Sequence, residues 1–205
     1  MFAPRPAPEA LPTRAQAEAV LAEALPHNPG PWGEHSRTVA RCAARIAAAC
    51  QDGALDPETA YVLGLLHDIG RRFGKGHLRH VYDGWHYLRA LGWAQPAQIC
   101  LTHSFVLHRP EDYIGRNDLT EAEYAALCRA LARAEYTDYD RLIQLCDAIA
   151  GGEGVMEMEA RMEDVRRRYG SYPPEKWAAN LALRDAFERR CGRDLYKIVT
   201  GGEEE

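Results

Sequence analysis

His67 and Asp68 end the segment Tyr61-Val-Leu-Gly-Leu-Leu66, an apolar helix that stops on two adjacent polar residues. A carboxylate placed there is costly to leave unpaired, so it is expected to have a partner or to hold a metal ion. Neighbouring residues on a helix diverge by about 100°. The two side chains therefore serve one site only where the helix stops or where they ligate different sides of it, and Ile69-Gly70 supplies the stop. The plainer reading is a helix-terminal His beside a surface Asp. Asp147 poses the same question in LIQLCDAIA. Its helical neighbours are Ile143 and Ala150, and no Lys or Arg lies within four residues of it. A hydrogen-bonded core carboxylate answers that question, and so does a metal ligand. His35 opens GEHSRTVA before a stripe of Val39, Cys42 and Ile46, or else sits in a surface first turn. His103 lies in ICLTHSFVL, and His80 begins HVYDGWHYLRALG. Imidazoles and carboxylates together suit first-row divalent metals. Asp68 has two oxygens and can bridge two ions, whose shared water then yields hydroxide near neutral pH.

A local basic patch in this acidic chain could hold a phosphate. From Ile69 to Tyr82 the chain carries Arg71, Arg72, Lys75 and Arg79 and no acid, directly after His67-Asp68. These residues are candidates for substrate binding, against the alternative of a solvated basic loop. Arg71 can grip a phosphate in bidentate fashion but is a poor proton donor, and Lys75 is the fallback for any proton-donating role. GKG at 74–76 lacks the spacing of a P-loop. Arg141, six residues before Asp147, reaches the same pocket or pairs with Asp138. His77 and His86 are the stand-ins for His80, and His108 is expected to be exposed.

The elements that must position these residues read as helices throughout. Thr13 caps a first helix to about Leu25, and a second runs from about Gly33 to Cys50. Asp56-Pro57-Glu58 starts a third, which ends near Ile69-Gly70. Residues 70–79 read as a glycine-punctuated loop, followed by a helix from about His80 to Leu91. Pro96 opens the next, residues 108–119 read as loop, and Thr120 to Glu123 form a capping box. Asp138 or Asp140 starts the helix of Asp147, closed by Gly151-Gly152, and two more helices lie near 157–169 and 174–190. This predicts one all-α domain of eight to ten helices. A flexible tail is expected over 1–12, the domain over 13–199 with its core at about 33–152 and C-terminal helices at 153–199, and a second tail over 200–205. The C-terminal helices are expected to cover the core or to form a homodimer surface.

The 205 residues carry a formal charge of −5 and a globular composition, which argues against disorder and against general binding to duplex nucleic acid. No apolar run is long enough to span a membrane, and no secretory signal is evident. Six scattered cysteines fit reduced thiols in the cytoplasm.

The order His35, His67-Asp68, Asp147, in EHSRTVA, GLLHDIG and LCDAIAGG, resembles the HD-domain superfamily of metal-dependent phosphohydrolases. HDIG is a recurrent form of its central motif, and His80 and His103 are similar in placement to the extra histidines of dinuclear members. The resemblance spans about residues 33–152 and implies a helical HD bundle. It further implies one ion held by His35, His67, Asp68 and Asp147 and a second by Asp68, His80 and His103. The ions would be Fe, Mn, Ni, Co or Zn, with Mg also admitted. In the mononuclear version His80 and His103 bind phosphate or carry protons instead. The expected activity is hydrolysis of a phosphate ester or anhydride of a small substrate, a nucleotide. An HD-type di-iron oxygenase shares the ligand set, and a non-catalytic ligand-binding module is the third reading.

Overall fold

Thr13 accepts the Gln16 amide and Gln16 reaches back, so a capping box starts α1 (Arg14–Ala24). The structure, a computed structural model, describes residues 11–201. α2 spans Trp32–Ala49, and α3 (Pro57–Leu66) starts where Asp56 accepts the Thr59 amide and Pro57 takes the first turn. α4 (Arg79–Ala90), α5 (Ala94–Thr102) and α6 (Glu121–Arg133) follow, the last inside the Thr120/Glu123 capping box. α7 (Asp138–Ile149), α8 (Met158–Tyr169), α9 (Pro174–Cys191) and α10 (Leu195–Thr200) complete the chain. The protein is all-α: no strand occurs among the described residues, only an isolated bridge between Ala150 and Val155.

The differences from expectation are local. Residues 70–79 are not all loop, because Ile69–Phe73 form a 3-10 turn and α4 begins at Arg79. The cap of α7 is Thr137; Asp140 closes its capping box and also accepts from Thr102 Oγ1 and Gln98 Nε2. α5 begins two residues before Pro96, which sits in the first turn, where a missing N–H is harmless. The expected tails, 1–12 and 200–205, fall mostly outside the described residues. Of the rest, Leu11 packs against the core, Pro12 is buried and Thr200 belongs to α10.

α2 is central, packing against α3, α7, α9 and α10. One core cluster joins α2 and α7 to α9 and α10 through Ile46, Leu142, Cys146 and Phe187. A second joins α1, α3 and α4 through Leu21, Leu65 and Leu88, and a third lies under α6. The crossing of α2 and α3 depends on Gly64, where an added Cβ would meet Ala40 Cα at 2.9 Å. No helix among the described residues is long and apolar enough to cross a membrane. All six cysteines are free.

Candidate metal centre

The fold gathers six residues at or near helix ends. His35 lies in the first turn of α2, His67 caps the C-terminus of α3, and His80 is the second residue of α4. His103 caps the C-terminus of α5, and Asp147 lies in the last turn of α7. Asp68 follows His67 at the break between α3 and the 3-10 turn, with φ −107° and ψ 13°. That break turns the two adjacent side chains toward one point. The 3-10 turn in turn packs on α4 through Gly70 and Gly84, which brings His80 against Asp68.

Asp68 is the centre of the group. Its Oδ2 lies 4.0 Å from His35 Nε2 and 3.8 Å from His67 Nε2. Its Oδ1 lies 3.1 Å from His80 Nε2 and 3.6 Å from His103 Nε2. Asp147 Oδ1 joins through His35 Nε2 at 3.1 Å. Three imidazoles are oriented from behind by backbone carbonyls: His67 Nδ1 by Gly64, His80 Nδ1 by His77 and His103 Nδ1 by Cys100. A carbonyl only accepts, so each Nδ1 carries a proton and each Nε2 is turned toward Asp68.

This donor set fits divalent ions. The Nε2 atoms of His80 and His103 face each other at 3.4 Å. Asp68 Oδ1 is buried without a hydrogen-bond partner. Converging lone pairs and an orphaned carboxylate oxygen are unfavourable together unless a cation lies among them. The donors form two overlapping groups, His35, His67 and Asp68, and Asp68, His80 and His103, each compact enough for one ion.

The electrostatics keep His67, His103, Asp68 and Asp147 in their ligating forms. Burial lowers His67, and burial together with His67 lowers His103 to about 3. Burial opposes the charge on Asp68, but Arg71, His67 and His80 outweigh it and hold the carboxyl well below its usual range. Asp147 is likewise held well below by its hydrogen bond to His35, against burial. A histidine whose pKa falls on folding destabilises the fold once pH drops below its unfolded value, because the unfolded chain then binds the extra proton. For His103 that window runs from 6.5 down to about 3 and costs about 1.4 kcal/mol per pH unit. Chelated protein is therefore expected to lose urea stability steadily from pH 6.5 to pH 5, and a flat profile would contradict this assignment of His103.

A cavity of about 920 Å³ opens over the group. Arg71 and Lys75 line it, whereas Arg72, Arg79 and Arg141 do not. Arg71 donates to Asp68 Oδ2 and brings Nη2 to 3.5 Å from His80 Nε2, so it faces the carboxylate as well as the cavity. Lys75 is exposed and forms no ion pair among the described residues. Arg72 instead holds Glu23 and the Tyr87 hydroxyl, and Arg79 holds Glu123. Arg141 neither reaches the cavity nor pairs with Asp138: it donates to Val106 O and Gln144 and lies on the Tyr136 ring. His77 lines the cavity; His86 packs on Tyr82 and Trp85 away from it. His108 is exposed, as expected, with Nε2 donating to Leu131 O.

Sequence reasoning missed Arg161 and Arg168 of α8, together with Tyr113, all on the cavity wall. The two arginines stand seven residues apart on one helical face, with Asp164 and Val165 between them on the same wall. Besides contributing Met158 and Met162 to the core, α8 therefore forms one side of the site.

The family described as HD domain matches residues 32–152. No curated protein and no solved structure matches the chain.

Proposed function

The chain belongs to the HD-domain family, whose members are mostly metal-dependent hydrolases, and on that footing we propose that it hydrolyses phosphate bonds of a small substrate, a nucleotide. One observation carries the reading: the Asp68 carboxylate is shared between two pairs of histidines, under a cavity whose wall holds Arg71 and Lys75. His35, His67, Asp68 and Asp147 would hold one ion, and Asp68, His80 and His103 a second. A divalent ion held there supplies Lewis acidity and a water nucleophile near neutral pH.

The chain's own residues supply the rest. Arg71 and Lys75 bind phosphoryl oxygens and offset the charge that grows on them. Lys75 carries an ammonium at the mouth, where it can give a proton to a leaving oxygen. Trp32, Tyr113 and Tyr169 give the same cavity aromatic walls on which a base can stack. A volume of about 920 Å³ is at the size of drug-like and nucleotide pockets. The free thiols suit the reducing cytoplasm.

The test is phosphate release by the full chain with Mn²⁺, Fe²⁺, Co²⁺ or Ni²⁺ across nucleotides, sugar phosphates and p-nitrophenyl phosphate. Turnover of at least one class is expected, and metal binding without turnover across the panel would refute the reading. The two cationic walls separate further. Lys75→Ala is expected to raise KM on the order of tenfold, the worth of one charge-assisted contact, and to lower kcat through loss of its proton to the leaving oxygen. Arg72→Ala, whose side chain is held by Glu23 and Tyr87, is expected to stay within about twofold of the parent.

A further inference from the structure

A smaller cavity of about 130 Å³ opens off the large one, and His103, Tyr113, Asp147 and Arg161 belong to both walls. Its far end is made by Tyr172, Lys176 and Asn180, from α9 and the turn before it, all beyond the family match at 32–152. This end therefore lies outside the part of the chain that matches the family.

The far end is rich in uncommitted donors. Lys176 Nζ donates to the carbonyls of Ser104 at 2.8 Å and Asp112 at 2.7 Å, and it forms no ion pair among the described residues. An ammonium has three N–H donors, so one remains. The Asp112 carboxylate is turned away, taken by the Leu107 amide and by Arg109. Tyr172 Oη accepts from Asn180 Nδ2 at 2.7 Å, which leaves its own hydroxyl proton free to donate. Arg161 gives Nε to Ala150 O, and its nearest carboxylate oxygen, on Asp164, stands 3.9 Å away. The one carboxylate on the wall is Asp147, which is engaged with His35. Burial pulls the Lys176 ammonium down to about 8, as befits a cation with no anion at contact distance.

We propose that this inner cavity is an oxyanion subsite, filled by the phosphoryl group next to the one attacked, so that the preferred substrate is a phosphoanhydride rather than a simple monoester. The assignment of substrate class rests on the hydrolase reading above; the anion subsite itself does not. Lys176, Arg161 and Tyr172 face the neighbouring phosphoryl oxygens. The nucleoside end of the substrate lies in the large cavity.

The test uses the full chain in two states. In chelated protein, inorganic phosphate binding is titrated by calorimetry for the parent, Lys176→Met and Tyr172→Phe. Affinity is expected to fall at least fivefold in Lys176→Met and at least twofold in Tyr172→Phe. In Mn²⁺-loaded protein, the ratio of kcat/KM for pyrophosphate and nucleoside diphosphates to that for p-nitrophenyl phosphate is expected to fall at least tenfold in Lys176→Met. Should Lys176→Met fail to fold, Tyr172→Phe, which removes only a hydroxyl, decides through the same two readouts. Phosphate affinity and substrate ratio both unchanged would overturn the subsite. Phosphate binding that depends on Lys176 in a chain that turns over nothing would uphold the subsite and overturn the hydrolase reading instead.

Discussion

Asp68→Ala is expected to abolish phosphate release, by on the order of 10³-fold or more, about 4 kcal/mol in barrier. The geometry explains why this position outweighs the others. Asp68 is the one residue that belongs to both donor groups. Without it, the group of His80 and His103 has no carboxylate, and Arg71 is left unpaired beside the place where an ion would sit. Bound metal is expected to fall to at most one ion per chain, held by His35, His67 and Asp147. Asp68→Asn separates charge from shape. It keeps an acceptor for Arg71, preserving the fold, and should lose activity to a similar degree. Circular dichroism and metal analysis on both variants check this; either variant retaining a tenth of the parent rate would contradict the shared-carboxylate account.

Gly70→Ala is expected to damage both fold and site, although no reacting group is touched. A Cβ there would stand 1.9 Å from His80 O and 2.5 Å from Gly84 N. Both are backbone atoms of α4, so the helix must move rather than a side chain yield. Overpacking of this kind costs about 1–3 kcal/mol, and here the upper end is expected. The displaced helix carries His80, which stands 3.1 Å from Asp68 Oδ1. A shift near 1 Å at a reacting centre costs on the order of 10² in rate. Urea denaturation and kcat at a temperature where the variant is folded measure the two effects separately. A variant with parental stability and rate would show that the turn and α4 do not need this close approach.

Three of the six residues were legible locally, while His35, His80 and His103 carry no such signal and entered through the order that resembles the HD superfamily. Asp147 sits among apolar neighbours without a cation in reach along the chain, and His67-Asp68 ends an apolar helix. Such residues need a partner from elsewhere, and the fold supplies it. The cationic wall was legible only in part, because proximity in sequence does not fix direction. In a 3-10 turn successive side chains point about 120° apart. Arg71 therefore faces Asp68, while Arg72, one residue on, faces Glu23 and Tyr87. Arg79 looked equivalent to Lys75, yet Glu123 of α6 holds it outside the cavity. Arg161, Arg168 and Lys176 lie far along the chain, and only the docking of α8 and α9 brings them to the site. Helix starts with side-chain caps were read to within a residue or two, whereas α10, a single six-residue turn element held by Asp194, was not distinguished from its surroundings.

The most direct measurement titrates the chelated full chain with Mn²⁺ and reads bound ion and phosphate release from the same sample. The rate is expected to be zero without metal, to rise with occupancy, and to saturate at one or two ions per chain. Absence of saturable binding, or ions bound with oxygen consumed and no phosphate released, would contradict the assignment of these six residues to a hydrolytic metal centre.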